Sequence, residues 1–191
     1  MFNILKLSLL ICGLLLISGC GGASKKTDCE QKNWLESGQQ DAISGNASML
    51  DQYEKTCSEF GIRPNVGSYE QGYQTGLATF CQPDSAYAYG VSGKTYAGIC
   101  SPALEAAFLR KYIEGLKKYI EDTRLTLSLK ELGLRNTQSR QSRVTDKKEL
   151  SKLRKKVEEY KQTVEGLRKE IDGSYRMIEK FRYQLERTPE G

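Results

Sequence analysis

Leu150, Leu153, Val157, Tyr160, Val164, Leu167, Ile171, Ser174, Ile178, Phe181 and Leu185 recur at alternating spacings of three and four residues, and only Ser174 among them is polar. A period of 3.5 held this long demands a helix that hides one narrow seam against another helix, a coiled coil. From Asp146 to Arg187 it would run about 63 Å at 1.5 Å per residue. Its flanking positions argue against a parallel homodimer, because Glu149 would attract Arg154 but Lys156 would repel Lys161. The partner is therefore sought within the chain, and a monomeric hairpin is favoured. Ser101 as N-cap and Pro102 at N1 open a helix whose apolar face is Leu104, Phe108, Leu109, Tyr112, Ile113, Leu116, Tyr119 and Ile120. That face fades by Leu132, and the polar stretch 133–145 reads as an elbow. An antiparallel return from this elbow brings Ile178, Phe181 and Leu185 back toward Ser101 and points the elbow away.

Upstream lies a different object. Residues 20–102 carry six basic and nine acidic side chains, whereas 103–191 carry twenty-two and fifteen. The upstream part holds Cys29, Cys57, Cys81 and Cys100, and no His occurs anywhere in the chain. Without a C-x-x-C or a histidine, zinc is a poor reading, and two disulfides are the better one. Pairing Cys81 with Cys100 closes one loop and leaves Cys29 for Cys57. In a helical hairpin turning near Asn46, however, those two are offset by about 10 Å, and disulfides need Cα atoms within about 7 Å. Either the first turn unwinds or the helices cross steeply, and all three connectivities stay open.

Within this module Thr27 and Glu30 have capping-box spacing and open a helix that stops near Gly45. Leu35, Gly38, Ala42 and Gly45 give it a small-residue stripe, flanked by Trp34 as a core anchor. Ser48 opens a second helix that Gly61 ends. A third runs from Val66 to Phe80, and its Gly72-x-x-x-Gly76 reads as close helix packing. Tyr87, Tyr89 and Tyr96, set among small residues around Gly90 and Gly93, predict a short β-hairpin or ordered loop and a candidate ligand platform. The chain is thus expected to be mainly α: a disulfide-stapled helical module followed by a long antiparallel helical hairpin.

The start of the chain supplies an address. Lys6, the apolar run 7–17 and the small residues Ser18 and Gly19 form a secretory signal too short to span a bilayer. Ile17-Ser18-Gly19-Cys20 resembles the bacterial lipobox, which implies acylation of Cys20. Gly21 follows where an inner-membrane retention signal would carry Asp, which implies the periplasmic face of a Gram-negative outer membrane. The expected organisation is signal peptide 1–19, tether 20–28, Cys-rich module 29–101, helical hairpin 102–187 and tail 188–191.

A wider resemblance rests on Trp34, Gly38-Gln39-Gln40-Asp41, Cys57, Gly61-Ile62, Tyr69-Glu70-Gln71-Gly72-Tyr73, Gly76-Leu77, Phe80-Cys81, Gly90, Gly93, Tyr96 and Cys100. In order and spacing this set resembles an uncharacterised family of proteobacterial lipoproteins, domain of unknown function 2799. The resemblance implies a disulfide-bonded lipoprotein and brings no activity with it.

Nothing in the sequence recommends an enzyme, a metal or a cofactor: no G-x-S-x-G, phosphate-cradling loop or carboxylate cluster with metal spacing is present. The functional candidate is the elbow. Lys130, Arg135, Arg140, Arg143, Lys147, Lys148, Lys152, Arg154, Lys155 and Lys156 face three acids between residues 130 and 156. In the periplasm such a tip would meet lipopolysaccharide phosphates, peptidoglycan carboxylates or an acidic envelope protein, and not nucleic acid.

Overall fold

The computed structural model describes residues 20–187, and the described chain is mainly helical, with no strand among these residues. The expected signal segment 1–19 and tail 188–191 lie outside them. Among the described residues seven helices are present: α1 (Cys20–Gln31), α2 (Trp34–Ile43), α3 (Leu50–Ser58), α4 (Val66–Phe80), α5 (Pro83–Val91), α6 (Pro102–Gln141) and α7 (Lys147–Arg187). Two compact units divide between Ala78 and Thr79, so the loop closed by Cys81 and Cys100 shares a unit with α6 and α7.

In the first unit the single helix expected up to Gly45 is two. The chain breaks before Asn33, whose side-chain oxygen accepts from the Glu36 amide and caps α2, and α1 begins at Cys20 rather than at Thr27. This break answers the offset problem. Cys29, on its own helix, bonds Cys57 with Cα atoms 5.7 Å apart. α2 and α3 both end in Schellman turns on a left-handed glycine: Gly45 at φ 80° and Gly61 at φ 72°.

Glycine also sets the packing of this unit. A Cβ on Gly72 would lie 1.8 Å from the Leu35 carbonyl oxygen, and one on Gly38 would lie 2.1 Å from that of Tyr69. The small stripe of α2 thus meets the G-x-x-x-G of α4 with backbones in contact. Trp34 is only half-buried, edge-on to Tyr53 at 5.7 Å. The anchor is instead Tyr69, fully buried, whose hydroxyl donates to Asp41 at 2.8 Å and accepts from the Met49 amide at 2.8 Å. Those two bonds tie the loop after α2 to α4. Burial pushes the Tyr69 hydroxyl up to about 12.

In the second unit the β-hairpin or ordered loop expected around residues 82–99 is α5, with Pro83 at its first turn, followed by a loop. The alternation of Tyr with Ala that suggested a strand has a helical explanation. Ala86 and Gly90, four apart, form a small buried face. Gly90 meets the Tyr112 carbonyl and Gly115 meets that of Tyr87, so α5 crosses α6 with no side chain between them.

Only the return from Ser92 to Ser101 is a loop, and two tyrosines wire it. Tyr112 donates to the Lys94 carbonyl at 2.6 Å and accepts from the Tyr96 amide at 3.3 Å, while Tyr96 accepts from the Cys100 amide at 2.9 Å. Cys81 and Cys100 close it, with Cα atoms 5.6 Å apart.

α6 does not fade at Leu132 but continues to Gln141, so the elbow shrinks to a short turn. Thr137 satisfies its hydroxyl on the Gly133 carbonyl at 2.7 Å, and Gly133 leaves room for the Tyr160 ring of α7. Packing against α7 outweighs the weak helix propensity of the polar run. Extension makes α6 and α7 nearly equal, at 40 and 41 residues. They pair antiparallel: Tyr112 with Phe181, Tyr119 with Glu170, Glu131 with Arg168, Gly133 with Tyr160 and Arg140 with Glu149. Leu153, Val157, Val164, Ile171, Ser174, Ile178 and Phe181 form the buried seam. Leu150, Tyr160, Leu167 and Leu185 of the same pattern are partly exposed.

Candidate functional site

The turn between α6 and α7 gathers the basic residues that the sequence singled out. α6 ends at Gln141 with the Ser142 amide on the Gln138 carbonyl, and Asp146 caps α7 by accepting from the Glu149 amide at 2.8 Å. Two antiparallel helices, each ending in cations, are thereby held side by side. Arg140 comes from the end of α6, Arg143 from the turn, and Lys147, Lys148, Lys152, Arg154 and Lys155 from α7.

All three acids in this region are already engaged. Glu149 pairs with Arg140 at 2.6 Å, Glu131 pairs with Arg168 of α7 at 2.7 Å, and Asp146 is the cap. Among the described residues Lys147, Lys148, Lys152, Arg154 and Lys155 make no ion pair, and all five are exposed. Arg143 folds back onto the Ser139 carbonyl at 3.2 Å, and Lys156 lies over the Tyr160 ring at 6.0 Å. Arg140, Lys148 and Lys152 line a shallow groove with Asp146, Glu149 and Leu153. Arg135 lies in a second groove, with Lys161 and Arg168 set against Glu131 and Glu165. A cluster of one sign with its counter-charges occupied attracts anions most strongly at low ionic strength.

Of the three tyrosines of the candidate platform, Tyr89 and Tyr96 meet the same two rings, Phe80 and Tyr112. Tyr96 is buried within a cluster of Phe80, Phe108, Tyr112 and Phe181. Tyr89 is partly exposed, edge-on to Phe80. Tyr87 is 41% exposed. Burial pushes the Tyr96 and Tyr112 hydroxyls up to about 12. Both hydroxyls are occupied in holding the loop 92–101.

One surface was missed by the sequence reading. Leu125, Leu129 and Leu132 lie at spacings of four and three on α6 and are 65%, 62% and 48% exposed. At 100° per residue they fall on the face opposite Ile120 and Thr123, which enter the seam. A second apolar phase was present in the sequence, but without α7 in place nothing marked which phase was inward.

The family model described as "Protein of unknown function (DUF2799)" matches residues 33–117. YfiL, an uncharacterised protein of Escherichia coli (strain K12), is 31% identical over 99 residues, which is 51% of this chain and 78% of the relative. No solved structure matches. The matched residues hold α2 to α5 and the first part of α6, so the basic turn and α7 lie beyond the family model.

Proposed function

Since the chain belongs to the family described as a protein of unknown function (DUF2799), we propose a role from its own geometry: a non-enzymatic, lipid-anchored envelope protein that contacts a polyanion through the basic turn of its helical pair. The observation that carries this reading is the state of the acids at the turn. With Glu131 and Glu149 paired to arginines and Asp146 accepting the cap bond of α7, five exposed cations make no ion pair. A tip serving solubility alone gains nothing from having its acids occupied.

The lipobox of residues 17–20 supports an anchor on Cys20, and Gly21 supports the periplasmic face of the outer membrane. α6 from Tyr112 to Gln141 separates the aromatic cluster from the turn by about 45 Å, so the cations are presented at the end of an arm. Coiled-coil pairing serves this role as a stiff spacer.

The test compares equal losses of charge at two places. Lys147→Gln, Lys148→Gln and Lys155→Gln together should elute from phosphocellulose at clearly lower salt than Lys25→Gln, Lys26→Gln and Lys55→Gln together. Equal shifts would mean that net charge and not the turn binds the polyanion, and the reading would fall. Radioactive palmitate should label the parent chain and not Cys20→Ser.

A further inference from the structure

The place of α1 in the chain says what it touches, an inference that rests on the lipid anchor proposed above. We propose that α1 is a short stem, pinned to the first unit by the Cys29–Cys57 disulfide, that holds this unit on the headgroup layer of the bilayer receiving the acyl chains of Cys20.

The sequence led us to expect a tether over residues 20–28. α1 instead begins at Cys20 and runs unbroken to Gln31. Residues 25–28 are exposed four in a row, so no face of the helix packs on protein there. Cys29 is the one buried residue between 25 and 31, and its bond to Cys57 joins α1 covalently to α3. From Cys20 to that bond the helix rises about 14 Å, and the same stretch fully extended reaches only about 31 Å. Without the bond the leash would run to Leu35, where α2 meets α4, or about 50 Å extended.

Charge along the stem is graded. Residues 20–27 hold Lys25 and Lys26 and no acid. The acids come further on, Asp28 against Lys32 at 3.4 Å and Glu30 against Lys26 at 3.6 Å. Among the described residues Lys25 makes no ion pair. Lys26 lies about 9 Å of helix from Cys20, close to one Debye length at physiological salt. Its pair with Glu30 has both side chains more than half exposed, so headgroup phosphates compete for it. Each lysine at an anionic surface adds roughly fivefold to the affinity. The first unit as a whole is acidic, with five basic and eight acidic side chains over residues 20–78. Its net charge therefore does not draw it to such a bilayer. The covalent stem does, with the two lysines nearest the anchor offsetting the repulsion.

Trp34, the single tryptophan, follows the pin by five residues and reports the height of the first unit. The full chain, purified from membranes with its acyl chains, is placed in phosphatidylglycerol vesicles carrying dansyl headgroups, and energy transfer from Trp34 is measured. A Gly-Ser spacer of about twenty residues inserted after Ser24 adds a reach of roughly 25 Å while keeping the disulfide, and should lower transfer at least twofold. Cys29→Ser with Cys57→Ser should lower it as well. Lys25→Gln with Lys26→Gln should lower it less, and to the same extent as high salt lowers it in the parent.

Equal transfer in the parent and the spacer chain, both floating with the vesicles, would overturn the stem and leave the anchor standing. A parent chain that carries no palmitate and does not float would overturn the anchor and the stem together. Transfer unchanged by the lysine pair would overturn the headgroup contact. Should the cysteine variant lose its helical circular dichroism, the spacer chain, whose disulfide is intact, decides.

Discussion

In the first unit α2 and α4 meet backbone to backbone at Gly38, Gly72 and Gly76, whereas in the second α6 and α7 are kept apart by a seam of branched side chains and rings. The first contact is short and tolerates no added atom. The second is long and distributes its free energy over many residues, so any one is replaceable at moderate cost. The crossing of α5 on α6 at Gly90 and Gly115 belongs to the first kind. Both glycine crossings fall inside residues 33–117, and most of the seam falls outside. The family-matched part is therefore the part whose geometry single residues fix.

The largest effect should come from breaking a glycine crossing. Gly72→Ala places a methyl group where the Leu35 carbonyl stands, and neither helix backbone can yield locally. We expect a loss of about 4 kcal/mol or more in denaturant unfolding, with α2 and α4 amides exchanging fastest. A loss under about 1 kcal/mol would show that the helices slide apart freely.

Breaking the seam at its most enclosed point should cost somewhat less. Phe181→Ala removes a buried ring lying 5.8 Å from Tyr96 and 5.5 Å from Tyr112, for about 3 to 5 kcal/mol. Amide exchange should rise together in the loop 92–101 and in both ends of the helical pair that flank it. If only the end of α7 frays, Phe181 does not hold the loop.

Alkaline pH sharpens the comparison through tyrosines. Tyr69 in the first unit, and Tyr96 and Tyr112 in the second, are raised to about 12 by burial, from an ordinary 10.0. A phenol raised in the folded state keeps its proton while the unfolded chain loses it, so stability is unaffected below pH 10 and falls as pH rises from 10 toward 12. Burial raises Tyr53 and Tyr73 in the first unit and Tyr89 and Tyr119 in the second as well, so amides of both units should lose protection over that window. Protection that stays constant to pH 12 in either unit would contradict this.

The smallest effect belongs to a glycine that packs against nothing. Around Gly166, in α7, no atom lies within 4 Å of an added Cβ. Gly166→Ala should raise stability by about 0.5 to 1 kcal/mol through helix propensity alone. Read beside Gly72→Ala, it isolates the crossing from the residue type.

The antiparallel pair was legible because a 3.5-residue period over this length has one structural meaning, and the flanking charges spoke against a parallel dimer. The third helix, from about Val66 to Phe80, was legible, as were the ends near Gly45 and at Gly61. The region of Tyr87 and Tyr89 was not. Tyr alternating with Ala satisfies a strand, yet the same residues place Ala86 and Gly90 on one helical face, and only Gly115 on the opposing helix makes that face useful. The extension of α6 through Asn136 and Gln138 was likewise hidden, since polar residues with weak propensity follow whatever helix they pack against.

The sequence by itself determined the helical class, the elbow-linked return of the last helix and the concentration of basic charge at the turn, because each follows from a local period or a count. Tertiary structure alone decided which apolar phase of α6 faces inward and which leaves Leu125, Leu129 and Leu132 in solvent. It also decided that Tyr96 is core and that Glu131 and Glu149 are engaged by arginines distant in sequence. Inward and outward are relations between two helices, and side-chain pairing across 9 or 37 residues exists only once both helices are in place.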